Sequence, residues 1–428
     1  MNPQAAELNR VLEAEGAAAY RLLSEKGRNI FFPRKGLVAQ GQDAKGKRIN
    51  ASIGMASEDD GTPLRLAPIA ELINLPPDDA FSYASSFGKS ELRAAWTAKI
   101  REKNPSLGGA PFSVPVVTNA LTHGLSMAGY LFLDPGDELI VPDPYWGNYR
   151  LVFAEAYGAA IRTFPLFSEG AFDTDGLGKA LMDGGDKKVL LLNFPNNPTG
   201  YSPTTADMDA IVAAVEKAAE AGKTVLVITD DAYFGLVFAE GVAGESPFAR
   251  LAALHGNVVA CKADGATKED YVWGFRVGFL TFAGKGLGPG ALKALEDKTA
   301  GAVRGSISND SHLSQSLLLK AYADPRYASE KARAFALLKN RHDKVRSELA
   351  AHPEYRERFE ALPFNSGYFM CVRVKGGDAE AVRQLLLAEY DTGVIALGDL
   401  VRIAYSSLPE AQIPDLFANL YAACGRLG

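Results

Sequence analysis

Cysteine is scarce in this chain: three in 428 residues, at positions 261, 371 and 424, with no C-x-x-C spacing. An odd, scattered set excludes a disulfide framework and fits a reducing cytoplasm. Histidine is nearly as rare, with five residues at 123, 255, 312, 342 and 352. None pairs at ligand spacing, so no metal centre is expected. Long apolar runs are missing too; no window reaches 18 apolar residues, and no membrane span is expected. Residues 1–28 have neither the basic start nor the apolar stretch of a signal peptide. Positive charge is not in excess. A net charge of −6 and a pI of about 5.6 argue against a nucleic-acid surface. There is no internal repeat and no low-complexity tract. What remains is 47% hydrophobic and 22% charged, an ordinary globular composition. The length suggests two domains, or a large and a small one sharing a core.

Residues Ala5–Ser24 carry a helical pattern, followed by a polar loop to about residue 45. From about residue 110 the pattern alternates. Short β-branched or leucine-rich runs at Glu138–Pro142, Val189–Asn193, Thr224–Thr229, Val258–Lys262 and Gly278–Phe282 read as strands. Met208, Ile211, Val212 and Val215 recur at helical spacing between the candidate cap Thr204 or Thr205 and the stop Gly222. Apolar strands alternating with amphipathic helices predict an α/β domain with a mostly parallel sheet. Beyond about residue 311 the chain turns more helical, with strands expected at Ser366–Val374 and Leu400–Tyr405 in a smaller α+β domain. Gly286-x-Gly288-x-Gly290 lacks dinucleotide-loop spacing and reads as a loop before a helix over Ala291–Asp297.

The chemistry-bearing residues fall at the ends of these runs, where open parallel sheets bind ligands. Gly265-Ala-Thr267-Lys268 follows one strand, and Arg276, eight residues after Lys268, sits between Gly274 and Gly278 before another. Asn197-Pro-Thr-Gly200 follows Val189–Asn193. Asp230-Asp231-Ala-Tyr233 ends Thr224–Thr229. Ala120-Leu121-Thr122 opens a helical pattern running to about Leu133. Trp146 follows Glu138–Pro142. Each has an ordinary reading: a turn for Asn197-Pro-Thr-Gly200, a helix cap for the aspartates, a solvated lysine, a surface ion pair for Arg276, a core tryptophan. In one order they form the parts needed to hold pyridoxal phosphate (PLP). Lys268 suits a Schiff base with the aldehyde, Arg276 the phosphate, Asp230 the ring nitrogen, and Asn197 and Tyr233 the ring hydroxyl. Thr267, together with the helix start at Ala120, Leu121 and Thr122, supplies further phosphate contacts, and Trp146 a face for the ring. Asp230 is preferred over Asp231 because it stands three residues before Tyr233.

From about Asn50 to Arg402 these motifs resemble the fold-type I PLP-dependent aminotransferases of class I, most closely the aspartate and aromatic amino-acid branch. Asn50-Ala-Ser-Ile-Gly54 resembles that branch's substrate-lid segment. Trp146-Gly-Asn-Tyr149 resembles its ring-stacking motif. Val303-Arg304-Gly-Ser-Ile-Ser308-Asn309 resembles the segment whose arginine reads a distal carboxylate, and Leu400-Val-Arg402-Ile resembles the α-carboxylate clamp. Gly265 stands where the family usually has a phosphate-bonding serine. Tyr149 stands where a histidine often supports the aspartate, and Asp310 and Ser311 replace prolines.

The resemblance implies the PLP-dependent transferase fold, with a large domain over 65–310 and a small domain formed by 1–64 with 311–428. It implies a cytoplasmic homodimer with shared active sites, in which Tyr83 reaches the other protomer's cofactor phosphate and Arg304 the other protomer's substrate. Gly54, Trp146, Asn197, Arg304 and Arg402 are the implied substrate contacts. The implied reaction moves an amino group from an L-amino acid, aspartate, glutamate or an aromatic one, to a 2-oxo acid by a ping-pong route with Lys268 as proton carrier. A PLP-dependent lyase and a non-catalytic PLP-binding regulator are the alternatives. The regulator requires a DNA-binding segment for which the short start leaves little room.

Overall fold

The computed structural model describes residues 1–15, 23, 28–29, 37–71, 74–376 and 378–427. Seven strands form the main sheet: β1 (Val116–Asn119), β2 (Glu138–Asp143), β3 (Ala160–Pro165), β4 (Lys187–Asn193), β5 (Thr224–Asp230), β6 (Val258–Gly265) and β7 (Val277–Ala283). Their spatial order is β1-β7-β6-β5-β4-β2-β3. Only β7 runs against its neighbours; every other pairing in the sheet is parallel.

The strand sequences explain the burial. Leu190, Leu192, Val225, Val227 and Phe279 pack on one face of the sheet, and Val189, Leu191, Leu226, Ile228 and Leu280 on the other. Successive residues alternate faces, so a sheet covered on both sides demands near-continuous apolar runs. Helix α1 (Ala120–Phe132) follows β1, and α2 (Thr205–Glu220) links β4 to β5. Thr204 is the α2 cap: its hydroxyl accepts from Asp207 N at 3.1 Å, while Asp207 Oδ2 accepts from Thr204 N at 3.0 Å.

Beyond the sheet come α3 (Pro289–Ser306) and the long α4 (Tyr327–Ala351). A second sheet contains β8 (Phe359–Ala361), β9 (Met370–Val374), β10 (Ile395–Leu397) and β11 (Leu400–Ile403), antiparallel throughout, in the order β8-β9-β11-β10. Ile49–Asn50 pairs in parallel with Thr392–Gly393 and stitches the early chain to this part. No helix among the described residues is long and apolar enough to cross a membrane.

Several expected boundaries move. β1 and β3 have no counterpart among the sequence-read strands. β1 has four residues, and β3 is an edge strand with mostly exposed or half-buried side chains, so neither presents a long apolar run. The expected helix Ala291–Asp297 is far longer. It starts at Pro289, a residue suited to a first turn, and runs through Arg304 to Ser306. β11 stops at Ile403, because the backbone leaves the ladder for the early chain: Ala404 N donates to Ala51 O at 2.7 Å. The expected Ala5–Ser24 helix is seen over Pro3–Glu15, and most of its remainder lies outside the described residues.

Candidate active site

β4, β5 and β6 end side by side, and their last residues and following loops carry the site. Asn193 closes β4. Its side-chain amide donates to Asp230 O at 2.8 Å, and its Oδ1 accepts from Asn197 N at 2.8 Å. One asparagine therefore locks the Asn197 loop onto the end of β5. Gly200 ends that loop at φ +73°, and a Cβ there would lie 1.8 Å from Phe369 O. Only glycine lets the two chains approach so closely.

Asp230 and Asp231 are both buried but face different partners. Tyr149 OH donates to Asp230 Oδ2 at 2.6 Å, and Ala232 N to Asp230 Oδ1 at 3.2 Å. Burial raises the Asp230 carboxyl above its ordinary value, while the Tyr149 hydrogen bond and the charge of Lys268 pull it down. Asp231 is ion-paired with Lys262 and accepts from Ser246 Oγ at 2.6 Å. No helix begins at either aspartate, so neither is a helix cap.

Lys268 lies on the single turn Ala266–Glu269 that follows β6, with its Nζ 4.7 Å from the centre of the Tyr233 ring. Burial pushes its ammonium down to about 8; Asp230 opposes the shift and Arg276 adds to it. Tyr233 is buried, packed edge-on against Tyr368 and Phe369 with ring centres 5.2 and 5.7 Å away. Burial raises its phenol above the ordinary value, against the pull of Arg402 and a hydrogen bond with Asn197.

Arg402, on β11, brings the second sheet to the site. It is 5% exposed. Its Nη1 donates to Asn197 Oδ1 and its Nη2 to Ser52 O, each at 3.2 Å. Both acceptors are neutral, and its Nε has no hydrogen-bond partner among the described residues. Desolvation lowers its pKa. A buried guanidinium with neutral partners is a waiting anion site.

The start of α1 meets the loop before β7. Ala120 has φ +57° and Arg276 φ +56°, and Ala120 N donates to Arg276 O at 2.9 Å. The Arg276 side chain is exposed, and its nearest hydrogen bond is a long one, 3.4 Å from Nη1 to Trp273 O. Leu121 is buried and Thr122 half-buried on the first turn of α1. Thr267 Oγ1 is buried without a partner among the described residues. Trp146 is half-buried and edge-on to Tyr149, with ring centres 5.5 Å apart. A cleft of about 1480 Å³ is lined by Trp146, Asn197 and Arg402, and Lys268 is not among its lining residues.

The remaining candidates stand apart. Gly54 is exposed, its Cβ position 3.8 Å from Phe369 Cζ. Tyr83 is 93% exposed, and Arg304 is exposed on the last turn of α3. Two site features escaped sequence reading. The Tyr149–Asp230 hydrogen bond was hidden because Tyr149 drew notice only as a departure from histidine. The other is Asp310, which is buried and accepts from Asn119 Nδ2 at 3.2 Å, with no partner for its Oδ2 among the described residues.

Residues 63–420 match the model of the family "Aminotransferase class I and II". The chain belongs to that family, whose members depend on PLP and act on amino and 2-oxo acids. It is 32% identical over 129 residues to an aspartate aminotransferase of Musicola paradisiaca, covering 30% of this chain and 32% of that one. It is 26% identical over 361 residues to an aspartate/prephenate aminotransferase of Cereibacter sphaeroides, covering 81% and 84%. The alignments span only a third to three fifths of the first seven curated relatives it matches, 32% to 60% of their lengths. The fold is shared with an aminotransferase of Anaerococcus prevotii at TM-score 0.83 and 24% identity, covering 94% of this chain and 98% of that one.

The donor set fits PLP. The Lys268 amine suits an aldehyde, the Arg276 guanidinium and the Thr267 hydroxyl, which has no partner among the described residues, suit a phosphate, and the carboxylate of Asp230 suits a protonated ring nitrogen.

Proposed function

We propose that the protein is a PLP-dependent transaminase that passes an amino group from an L-amino acid to a 2-oxo acid. The observation that carries the reading is the convergence of Lys268 and the Tyr149-bonded Asp230, at the ends of the adjoining β6 and β5, with a buried Arg402 from the second sheet whose partners are neutral. PLP, when bound, supplies an electron sink for the pair left as the substrate Cα–H bond breaks.

The protein's residues do the rest. Lys268, with its ammonium lowered to about 8, is neutral in a useful fraction of molecules near that pH. The neutral amine would hold the cofactor by its aldehyde and would be the group that moves the proton from the substrate Cα. Asp230 keeps the ring nitrogen protonated. Asn197 and Tyr233 address the ring hydroxyl, and Trp146 covers a ring face. Arg276, Thr267, Thr122 and the backbone N–H groups at Ala120 and Leu121 take the phosphate. Arg402 would hold the substrate α-carboxylate and so orient its Cα–H bond.

The acidic-donor reading rests on Arg304, on Gly54 in the lid segment, and on relatives named for aspartate. Two protomers share sites in this reading, Tyr83 and Arg304 each serving the opposite one. Their exposure supports it, as does the exposure of the nearby apolar Phe81 at 88% and Leu313 at 44%.

The test is a panel of amino donors with 2-oxoglutarate, read as glutamate and the new 2-oxo acid. Equimolar products that require the acceptor are expected. Ammonia released without an acceptor would replace the reading with a lyase.

A further inference from the structure

A buried network of charges lies under the turn that carries Lys268. Glu269 and Asp270 follow that lysine directly, and they are 5% and 0% exposed. Glu269 pairs with Lys103 on the helix Ser90–Lys103, and with Lys331 on α4 at 3.0 Å. Asp270 accepts from Tyr322 OH at 2.7 Å and from Tyr327 OH at 2.5 Å, and Lys331 Nζ lies 3.3 Å from its Oδ1. Lys99 Nζ donates to Tyr327 OH at 3.0 Å and sits 4.1 Å over the Tyr322 ring. Burial raises the Asp270 carboxyl, but Lys331, Lys99 and Lys103 outweigh it and hold the group below its ordinary value.

Such a cluster is not there for stability alone. Apolar residues of similar volume would fill the space at no cost in desolvation, and buried ion networks are often no more stabilising than their apolar replacements. Geometry gives a better reason. The Ala266–Glu269 turn is four residues long and cannot hold itself. Beside the burial of Ala266 and Thr267, its anchor is the network, which ties it to α4 and to the helix Ser90–Lys103. Ten residues farther along α4, roughly 15 Å at the helical rise, Arg341 Nη1 donates to Ser406 O at 2.5 Å and Nη2 to Asp59 Oδ1 at 3.0 Å. Ser406 is four residues past Arg402. One helix therefore grips the chain next to Lys268 and the chain next to Arg402.

We infer that Asp270 is a positioning residue: through Tyr327 and Lys331 it fixes the Lys268 turn to α4, with Tyr322 on the preceding helix His312–Tyr322 as a further tie, and α4 sets the distance between Lys268 and Arg402. The inference rests on the proposed roles of those two residues. Proton transfer from a substrate clamped by Arg402 requires Lys268 Nζ within reach of Cα, and misplacement by about 1 Å can cost a hundredfold in rate.

The test uses full-length protein loaded with PLP. Asp270→Asn keeps the shape and removes the charge. It should retain the borohydride-reducible adduct at Lys268 and leave KM for the amino donor within about twofold. It should lower kcat by about ten- to a hundredfold and enlarge the isotope effect of a donor deuterated at Cα, because proton transfer becomes limiting. Lys331→Met should act in the same direction, and the double variant should lose no more than the worse single one. Should Asp270→Asn not fold, Tyr327→Phe removes one of the hydrogen bonds and is scored the same way. Unchanged kcat and isotope effect in a variant that only melts earlier would overturn the inference. So would single losses that multiply in the double variant. Wild-type protein with no adduct at Lys268 would instead bring down the cofactor reading, and this inference with it.

Discussion

Asp230 and Asp231 are consecutive, chemically identical and almost equally buried, at 3% and 2% exposure, yet their surroundings divide them. Asp231 is spent on Lys262 and Ser246, while Asp230 faces Tyr149 and Lys268. A hydroxyl donor to a carboxylate is worth about 1.5–3 kcal/mol when the acceptor is charged. Tyr149→Phe keeps the ring edge-on to Trp146 and removes only that donor. It should lower kcat by about tenfold or more, since Asp230 would hold the ring nitrogen less firmly, with KM little changed. Steady-state kinetics on the best donor check this; a kcat equal to wild type would remove Tyr149 from the site. At this scale the sequence was readable in placement: Lys268 follows β6 and Arg276 precedes β7, as the strand patterns imply. It was opaque where a hydrogen bond depends on which side chain swings in from 81 residues away, as Tyr149 does.

β6 and β7 explain a second departure from the family pattern. Gly265 pairs with Gly278 across the two strands, and a Cβ at Gly265 would lie 2.7 Å from both Gly278 Cα and Val277 O. Backbone atoms of a packed sheet cannot yield as a flexible side chain can. Gly265→Ala should therefore destabilise the protein by about 1–3 kcal/mol, as overpacking does. Thermal melting with and without PLP checks it; an unchanged melting temperature would show that the strands part easily. Elements with continuous apolar runs, β4, β5 and β6, were legible because a doubly covered parallel strand has a distinctive pattern. β1 and β3 were not, since their identity comes from the neighbours they pair with. The true length of α3 was hidden by its three glycines at 290, 301 and 305, which its packing on the sheet tolerates.

At the scale of the molecule, two sheets meet at one site. Arg402 comes from the second, and its partners Asn197 and Ser52 come from positions 205 and 350 residues away. No local pattern encodes such a meeting; the resemblance pointed to it, and the contacts give its geometry. Arg304 belongs to this scale because, in the proposed dimer, it works across the interface. A side-chain carboxylate entering the site loses water, and a bidentate guanidinium offsets that loss. Arg304→Ala should lower kcat/KM for aspartate or glutamate at least about tenfold and for phenylalanine much less, since removing one partner of a buried charge pair costs about 2–5 kcal/mol. Equal losses for both donor classes would make Arg304 a structural interface residue and leave the specificity open.

The account stands on Lys268, and borohydride reduction of the PLP-loaded protein followed by peptide mapping tests it most directly. It predicts one pyridoxyl-modified peptide, modified at Lys268, and no modification of Lys268→Ala, which should also lack transaminase activity. A modification on any other lysine, or one that persists in Lys268→Ala, would contradict it.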